Sequence, residues 1–279
     1  MFKRVAIVGL DGMGASIGLA LRQAKAAQQV TGFDMGKGAS DQARKLGAID
    51  VACSRLAEAV SGAELIILAT PVGDMRKHLQ QLATTASPGS VVTDVADTKV
   101  AVISWAEEYL PASIGFVGGH PIVEQDTPSA TLFQQRVYCL TPTRRTPHFA
   151  LEKVSALVEA LGARVRFLEP PEHDGMVAGT GQLPLLASVA LLQTVLGSPS
   201  WNDASLLATK SLRDATYPIG NAETISDSCL TNSEPLVRWL DGYMKSLAEL
   251  RERIAAHDTT LQETFKQAQK LREGWNSNT

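Results

Sequence analysis

Residues 5–34 read VAIVGLDGMGASIGLALRQAKAAQQVTGFD. An apolar, β-like run, Val5–Val8, meets a turn carrying Gly9, Gly12 and Gly14. A helix pattern follows through Ile17, Leu19, Ala20 and Leu21, and then a second strand that ends in Asp34. This is the plan of a nucleotide-binding βαβ unit, where backbone N–H groups and a helix dipole face a pyrophosphate. Gly9 allows the tight turn, and Gly14 lets the helix pack close to the strand. The middle glycine of G-x-G-x-x-G is replaced by Asp11. A carboxylate pointing at a pyrophosphate costs binding on the order of 1 kcal/mol, although Gly12 beside it restores backbone room. Asp34 lies about 20 residues past Gly14, where an acidic side chain accepts both ribose hydroxyls of NAD and repels the phosphate of NADP. Lys37 is close enough to keep NADP open as an alternative. The expected cofactor site is therefore Gly9, Asp11, Gly12, Met13, Gly14 and Asp34. Thr70, Pro71 and Val72 join it, because the strand Leu65–Ala69 ends there at the same crevice.

Outward from this unit, strand and helix alternate. Strand signals fall near Val30–Phe33, Leu65–Ala69, Val91–Thr93, Gly115–Val117 and Tyr138–Thr141. Helix-like segments lie between them at Gln42–Leu46, Asp74–Leu82 and Val100–Tyr109, and another helix and strand follow at Phe149–Leu161 and Ala163–Leu168. Continuous apolar runs such as Leu65-Ile-Ile-Leu suit strands buried on both faces of a parallel sheet. At Glu169-Pro170-Pro171 the pattern turns helical, with segments at Glu172–Leu196, Trp201–Leu212, Pro235–Ala256 and Thr259–Gly274. The expected fold class is α/β: a Rossmann-like doubly wound domain over 1–169, then an all-helical substrate and dimerisation domain over 170–279.

The 279 residues carry a net charge of -3, so there is no basic field for nucleic acid. Three scattered cysteines, Cys53, Cys139 and Cys229, fit a reducing compartment, no metal site, and three buried small hydrophobes. The chain opens directly into a strand, which leads to the expectation of no signal peptide and a cytoplasmic protein. Residues 175–202 hold no charge, but Thr180, Gly181, Gln182 and Pro184 interrupt them, so a buried helix is expected rather than a membrane span. The α/β domain can cover only part of so apolar a helix. A second subunit in a two-fold dimer is expected to cover the rest; burial within one chain is the alternative.

The chemical centre is expected at Gly118-Gly119-His120-Pro121. Two glycines let a ligand approach the backbone, and a histidine at a strand end is a candidate acid/base, able to bond a substrate hydroxyl as hydride leaves. Read by itself, the same histidine could equally hold a loop together.

Several segments resemble the prephenate/arogenate dehydrogenase family. They are the glycine turn, Leu68-Ala-Thr-Pro-Val72, Thr93-Asp-Val-Ala-Asp-Thr-Lys99, Phe116-Val-Gly-Gly-His-Pro121, Tyr138-Cys-Leu-Thr-Pro142 and Pro171-Glu-His-Asp174. The resemblance implies an NAD(P)-dependent enzyme of tyrosine biosynthesis, a homodimer that oxidatively decarboxylates a cyclohexadienyl substrate. It implies that His120 is catalytic and bonds the ring hydroxyl. It also points to Asp97, Lys99, Gln182, Arg213 and Tyr217 as substrate-binding positions. Four of these sites depart from the family pattern: Asp11 in the glycine turn, Asp97 where a small hydroxyl residue is usual, Gln182 where a histidine is usual, and Tyr217 where an arginine usually grips a carboxylate. Leu185 also stands where a second histidine is usual. These changes suggest an altered substrate, one whose amine pairs with Asp97. Two other readings stay open. One is a small-molecule dehydrogenase of the β-hydroxyacid dehydrogenase or imine reductase type. The other is a nucleotide-binding protein that has lost catalysis.

Overall fold

The computed structural model describes residues 1–36, 38–123, 127–216 and 219–276. By its contacts the chain divides into two compact units, Met1–Ser233 and Glu234–Thr279. The first unit holds eight strands: β1 Phe2–Val8, β2 Ala27–Phe33, β3 Val51–Ala52, β4 Leu65–Leu68, β5 Val91–Asp94, β6 Gly115–Pro121, β7 Val137–Thr141 and β8 Arg164–Phe167. They form one sheet in the order β3-β2-β1-β4-β5-β6-β7-β8. Every neighbouring pair is parallel except β6 and β7. The intervening helices are α1 Gly12–Gln23, α2 Ala39–Lys45, α3 Leu56–Val60, α4 Val72–Thr85, α5 Val100–Tyr109 and α6 His148–Ala160.

Alternation along β1 builds a core on each face of the sheet. Val5 and Ile7 pack with Ile17 and Leu21 of α1 and with Val154 and Leu157 of α6. Ala6 and Val8 pack on the other face with Met75 and Leu79 of α4 and Val102 of α5. All four residues of β4 are buried, as the unbroken apolar run requires. Each fully buried Ile or Leu contributes about 1.5–3 kcal/mol. The strand order reverses between β1 and β4, and that switch point opens the ligand crevice at their carboxyl ends.

Two elements of this half escaped the sequence. β3 has two residues and α3 five, too short for a periodic signal. β6 also outruns its expected end at Val117. Its first half pairs parallel with β5, and Gly118–Pro121 then pairs antiparallel with Tyr138–Thr141. His120 therefore sits within a strand, opposite Cys139.

The helical part begins with α7 Pro170–Val177, a π turn at Ala178–Gln182, and α8 Leu183–Leu196. α7 packs on α5 and β7, so the first compact unit continues beyond residue 169. Sequence periodicity suggested one helix over Trp201–Leu212. The chain instead forms α9 Trp201–Ala204, a 3₁₀ turn at Ser205–Leu207 and α10 Lys210–Asp214. Ala208 and Thr209 take extended backbone and break the run. α11 Ala222–Thr231 was missed altogether, although Asn221 caps it by accepting the Thr224 N–H at 3.0 Å. It packs against α4. In the second unit, α12 Ser233–Ala255 and α13 Leu261–Asn276 lie within a few residues of expectation.

The apolar helix is not buried within one chain, as one expectation had it. Among residues 183–196 only Ser188 is buried, and the apolar side chains of α8 are half-exposed or exposed.

Candidate active site

The glycine turn has the shape its residues require. Gly9 sits at φ +92°, and a Cβ on Gly14 would lie 1.9 Å from the Gly9 carbonyl oxygen. A side chain at Gly14 would push α1 off the turn, and one at Gly9 would strain the backbone and meet the Ala69 carbonyl oxygen at 2.5 Å. Gly12 and Met13 open α1, and Asp11 occupies its N-cap position without a side-chain capping bond. The Asp11 carboxyl faces the crevice, and its pKa is raised by desolvation and by the charge of Asp34, against the pull of nearby backbone N–H groups of Met13 and Gly14. Asp34 is fixed by two backbone donors: Leu10 N–H gives to Oδ2 at 2.7 Å and Gly36 N–H to Oδ1 at 2.6 Å. The remaining lone pairs of its carboxylate edge a pocket of about 270 Å³ shared with Gly9, Asp11, Thr70 and Pro71. Lys37 lies outside the described residues.

His78, on α4, was not anticipated. It is buried, lines the same pocket, and meets Thr70 Oγ1 through Nδ1 at 3.3 Å. Burial lowers its pKa, so the ring is neutral at neutral pH. Its place one turn after Asp74, just past Thr70-Pro71, was the available signal.

A second cavity of about 520 Å³ continues from the glycine turn. Asp11, Met13, Thr70, Pro71 and Val72 line its near side. Asp97, His120, Gln182, Leu185, Ser228 and Cys229 line its far side. Cys229 is half-buried at this wall rather than a core hydrophobe, and Cys53 is also only half-buried.

His120 is aimed by a relay of buried groups. Asp174 accepts the backbone N–H of Lys99 at 2.7 Å and of Val100 at 2.8 Å. His173 Nδ1 lies 2.9 Å from the same carboxylate, and His173 Nε2 lies 2.9 Å from His120 Nδ1. An ionised carboxylate only accepts, so His173 Nδ1 carries the proton and its Nε2 is an acceptor. His120 Nδ1–H donates to that acceptor, and His120 Nε2 is left with a lone pair. Burial first, and then the nearby charge of Lys99, hold the His120 pKa well below the ordinary histidine value. The arrangement is a neutral base. His173 and Asp174, which the resemblance placed only at a domain entry, are what orient it.

Lys99 is corrected. It does not reach the cavity. Its side chain is fully buried, bonded through Nζ to Asp94 and to the Gly119 carbonyl at 2.6 Å. Asp94 also accepts the Gly119 N–H at 3.1 Å. The pair therefore holds the backbone just before His120, and a Cβ on Gly119 would lie 2.6 Å from the Asp94 carbonyl oxygen. Arg213 is also corrected: it is exposed on α10 and does not line the cavity. Tyr217 lies outside the described residues.

Asp97 and Gln182 do meet at the cavity wall. Ser228 Oγ donates to Asp97 Oδ2, and Gln182 Nε2 donates to Ser228 Oγ at 2.9 Å. Asn232 Nδ2 donates to Gln182 Oε1 at 2.8 Å and to the Asp174 carbonyl at 2.9 Å. A continuous chain of hydrogen bonds thus runs from Asp97 round to His120. Ser228 and Asn232 come from α11 and its C-cap, so the missed helix hid them from sequence reading.

A doubly wound sheet with a glycine turn, a carboxylate for the ribose and a neutral histidine base in the adjoining cavity defines a dehydrogenase. Comparison with known proteins narrows this. Residues 17–167 match the family model "Prephenate dehydrogenase, nucleotide-binding domain", and residues 169–267 match "Prephenate dehydrogenase, dimerization domain". The cyclohexadienyl dehydrogenase of Zymomonas mobilis is 30% identical, over 98% of this chain and 96% of its own. The crystal structure of Synechocystis arogenate dehydrogenase is 28% identical with TM-score 0.82, covering 98% of this chain and 99% of that one. A prephenate dehydrogenase from Aquifex aeolicus, solved with hydroxyphenyl propionate and NAD+, is 25% identical with TM-score 0.84 and covers 98% of each chain. The chain belongs to the prephenate dehydrogenase family.

Proposed function

We propose that the protein is an NAD-dependent dehydrogenase of tyrosine biosynthesis that oxidatively decarboxylates a cyclohexadienyl substrate. The observation that carries this is the Asp174–His173–His120 relay, which leaves one imidazole lone pair at a cavity continuous with the glycine turn. The cradle at Gly9 and Gly14 and the fixed carboxylate of Asp34 fit NAD, with Met13 and Thr70–Val72 along its path. NAD, when bound, supplies the hydride acceptor. His120 Nε2 accepts the hydrogen bond of the substrate hydroxyl and takes its proton as the carbon beneath is oxidised. The carboxylate leaves as carbon dioxide, and its electron pair completes the aromatic ring. Asp97 and Gln182 border the substrate. Val177 and Leu185 add apolar wall to the cavity.

Residues 1–169 form the nucleotide-binding part in this reading, and 170–279 the substrate and dimerisation part. The half-exposed apolar face of α8 and the match to a dimerization domain support a homodimer. A cytoplasmic location fits a soluble biosynthetic enzyme of this kind.

His120→Asn tests the assignment. Turnover should fall about 10²–10⁴-fold, while NAD affinity, measured by titration, stays unchanged. Undiminished turnover would remove His120 from the reaction.

A further inference from the structure

The far side of the cavity carries one carboxylate, Asp97, and no lysine or arginine among the described residues. Asp97 is held in place by Ser228 on Oδ2, and Oδ1 has no partner among the described residues. Arg213 is exposed and does not line the cavity. Lys99 is consumed by Asp94 and Gly119. Such a wall repels a dianionic substrate and leaves a half-buried carboxylate oxygen without a counter-charge.

We propose that Asp97 is a specificity-determining residue that selects a cyclohexadiene carboxylate carrying a cationic amine. This rests on the dehydrogenase reading above and names its substrate class. The carboxylate Oδ1 takes an ammonium N–H, while the Ser228–Gln182–Asn232 chain keeps the side chain from swinging away. The amine has two possible places. On the side chain it is a spectator, and His120 handles the ring hydroxyl as before. On the reacting ring carbon it replaces that hydroxyl. In this second case the ammonium gives one proton to His120 Nε2, and its carbon gives up a hydride, for which NAD would supply the acceptor. The ring carboxylate departs as carbon dioxide, leaving its electron pair in the ring. The products are a neutral aromatic amine, carbon dioxide, reduced cofactor and one proton.

The test compares kcat/KM of the full-length protein for three compounds: prephenate, arogenate, and the prephenate analogue with an amine in place of the ring hydroxyl. NAD affinity is titrated in parallel for wild type, Asp97→Ser and Asp97→Asn. The proposal expects one amine-bearing compound to be preferred over prephenate by about 100-fold, the scale of one charge-assisted contact. Both variants should erase most of that preference with NAD affinity unchanged. Arogenate as the favoured compound puts the amine on the side chain, and the ring-amine analogue puts it on the reacting carbon. Equal use of all three compounds overturns the proposal and leaves the dehydrogenase reading standing. So does a variant effect confined to NAD affinity, since Asp97 would then serve the nicotinamide charge. Turnover of none of the three with NAD still bound also overturns it. Failure to bind NAD at all would instead sink the dehydrogenase reading.

Discussion

His120 and His78 are neutral for the same reason: burial disfavours the imidazolium, and in His120 the nearby Lys99 charge adds to the effect. The sign of the pH dependence follows. In the unfolded chain both rings take up a proton near pH 6.5, whereas in the folded protein they resist it to lower pH. The unfolded state then binds more protons, so stability is full above about pH 6.5 and declines as the pH falls below it. Thermal melts between pH 8 and pH 5 should show this drop. Turnover should behave differently, since the base form of His120 persists: kcat/KM is expected to stay level through pH 6.5 and fall only further into acid. A break in the rate profile at an ordinary histidine value would contradict the burial argument. Asp11 belongs at this scale too. Its carboxyl stands beside the N–H groups at the start of α1, the place a pyrophosphate uses, and its pKa is raised first by desolvation there and then by the charge of Asp34.

At the scale of the element, β5 and β6 are locked together by a charge pair with no exposure to solvent. Lys99 and Asp94 join the end of β5 to the Gly119 backbone of β6. Removing one partner leaves a buried charge unpaired, so Lys99→Met should destabilise the fold by roughly 3–5 kcal/mol, read as a lower melting temperature or denaturant midpoint. A variant as stable as the wild type would mean the pair is not what holds this junction. The same residues show how far the sequence could be read. Val5–Val8, Gly9, Gly14 and Asp34 were legible because a phosphate-binding turn is local, with every requirement met inside one βαβ unit. Gly118–His120 was legible as chemistry but not as part of a strand, because its pairing partner, Tyr138–Thr141, is set by tertiary context. Lys99 was misread because only three dimensions reveal that Asp94 and Gly119 enclose it. Ser228 and Asn232 were invisible because the contacts that bring them to Asp97, Gln182 and Asp174 are tertiary, and the local mark of α11 is the Asn221 cap.

On the scale of the whole molecule, the apolar face of α8 bears on the state of the protein in solution. A homodimer should scatter light as twice the 29.8 kDa chain, and a monomeric mass at working concentration would refute that assembly. The sequence read correctly that residues 172–196 are helical and apolar, but burial inside one chain did not follow, because hydropathy does not say which surface does the covering. The hydrogen-bonded wall from Asp97 to His120 has one more consequence, in the order of folding. The parts of the glycine turn and Asp34 lie close in sequence, so little loop entropy opposes their meeting. Ser228 and Asp97 are 131 residues apart, and His120 and His173 are 53 apart. Contacts of that span are entropically expensive and form late. A chain emerging from the ribosome, amino end first, therefore completes its nucleotide cradle well before it has a substrate wall.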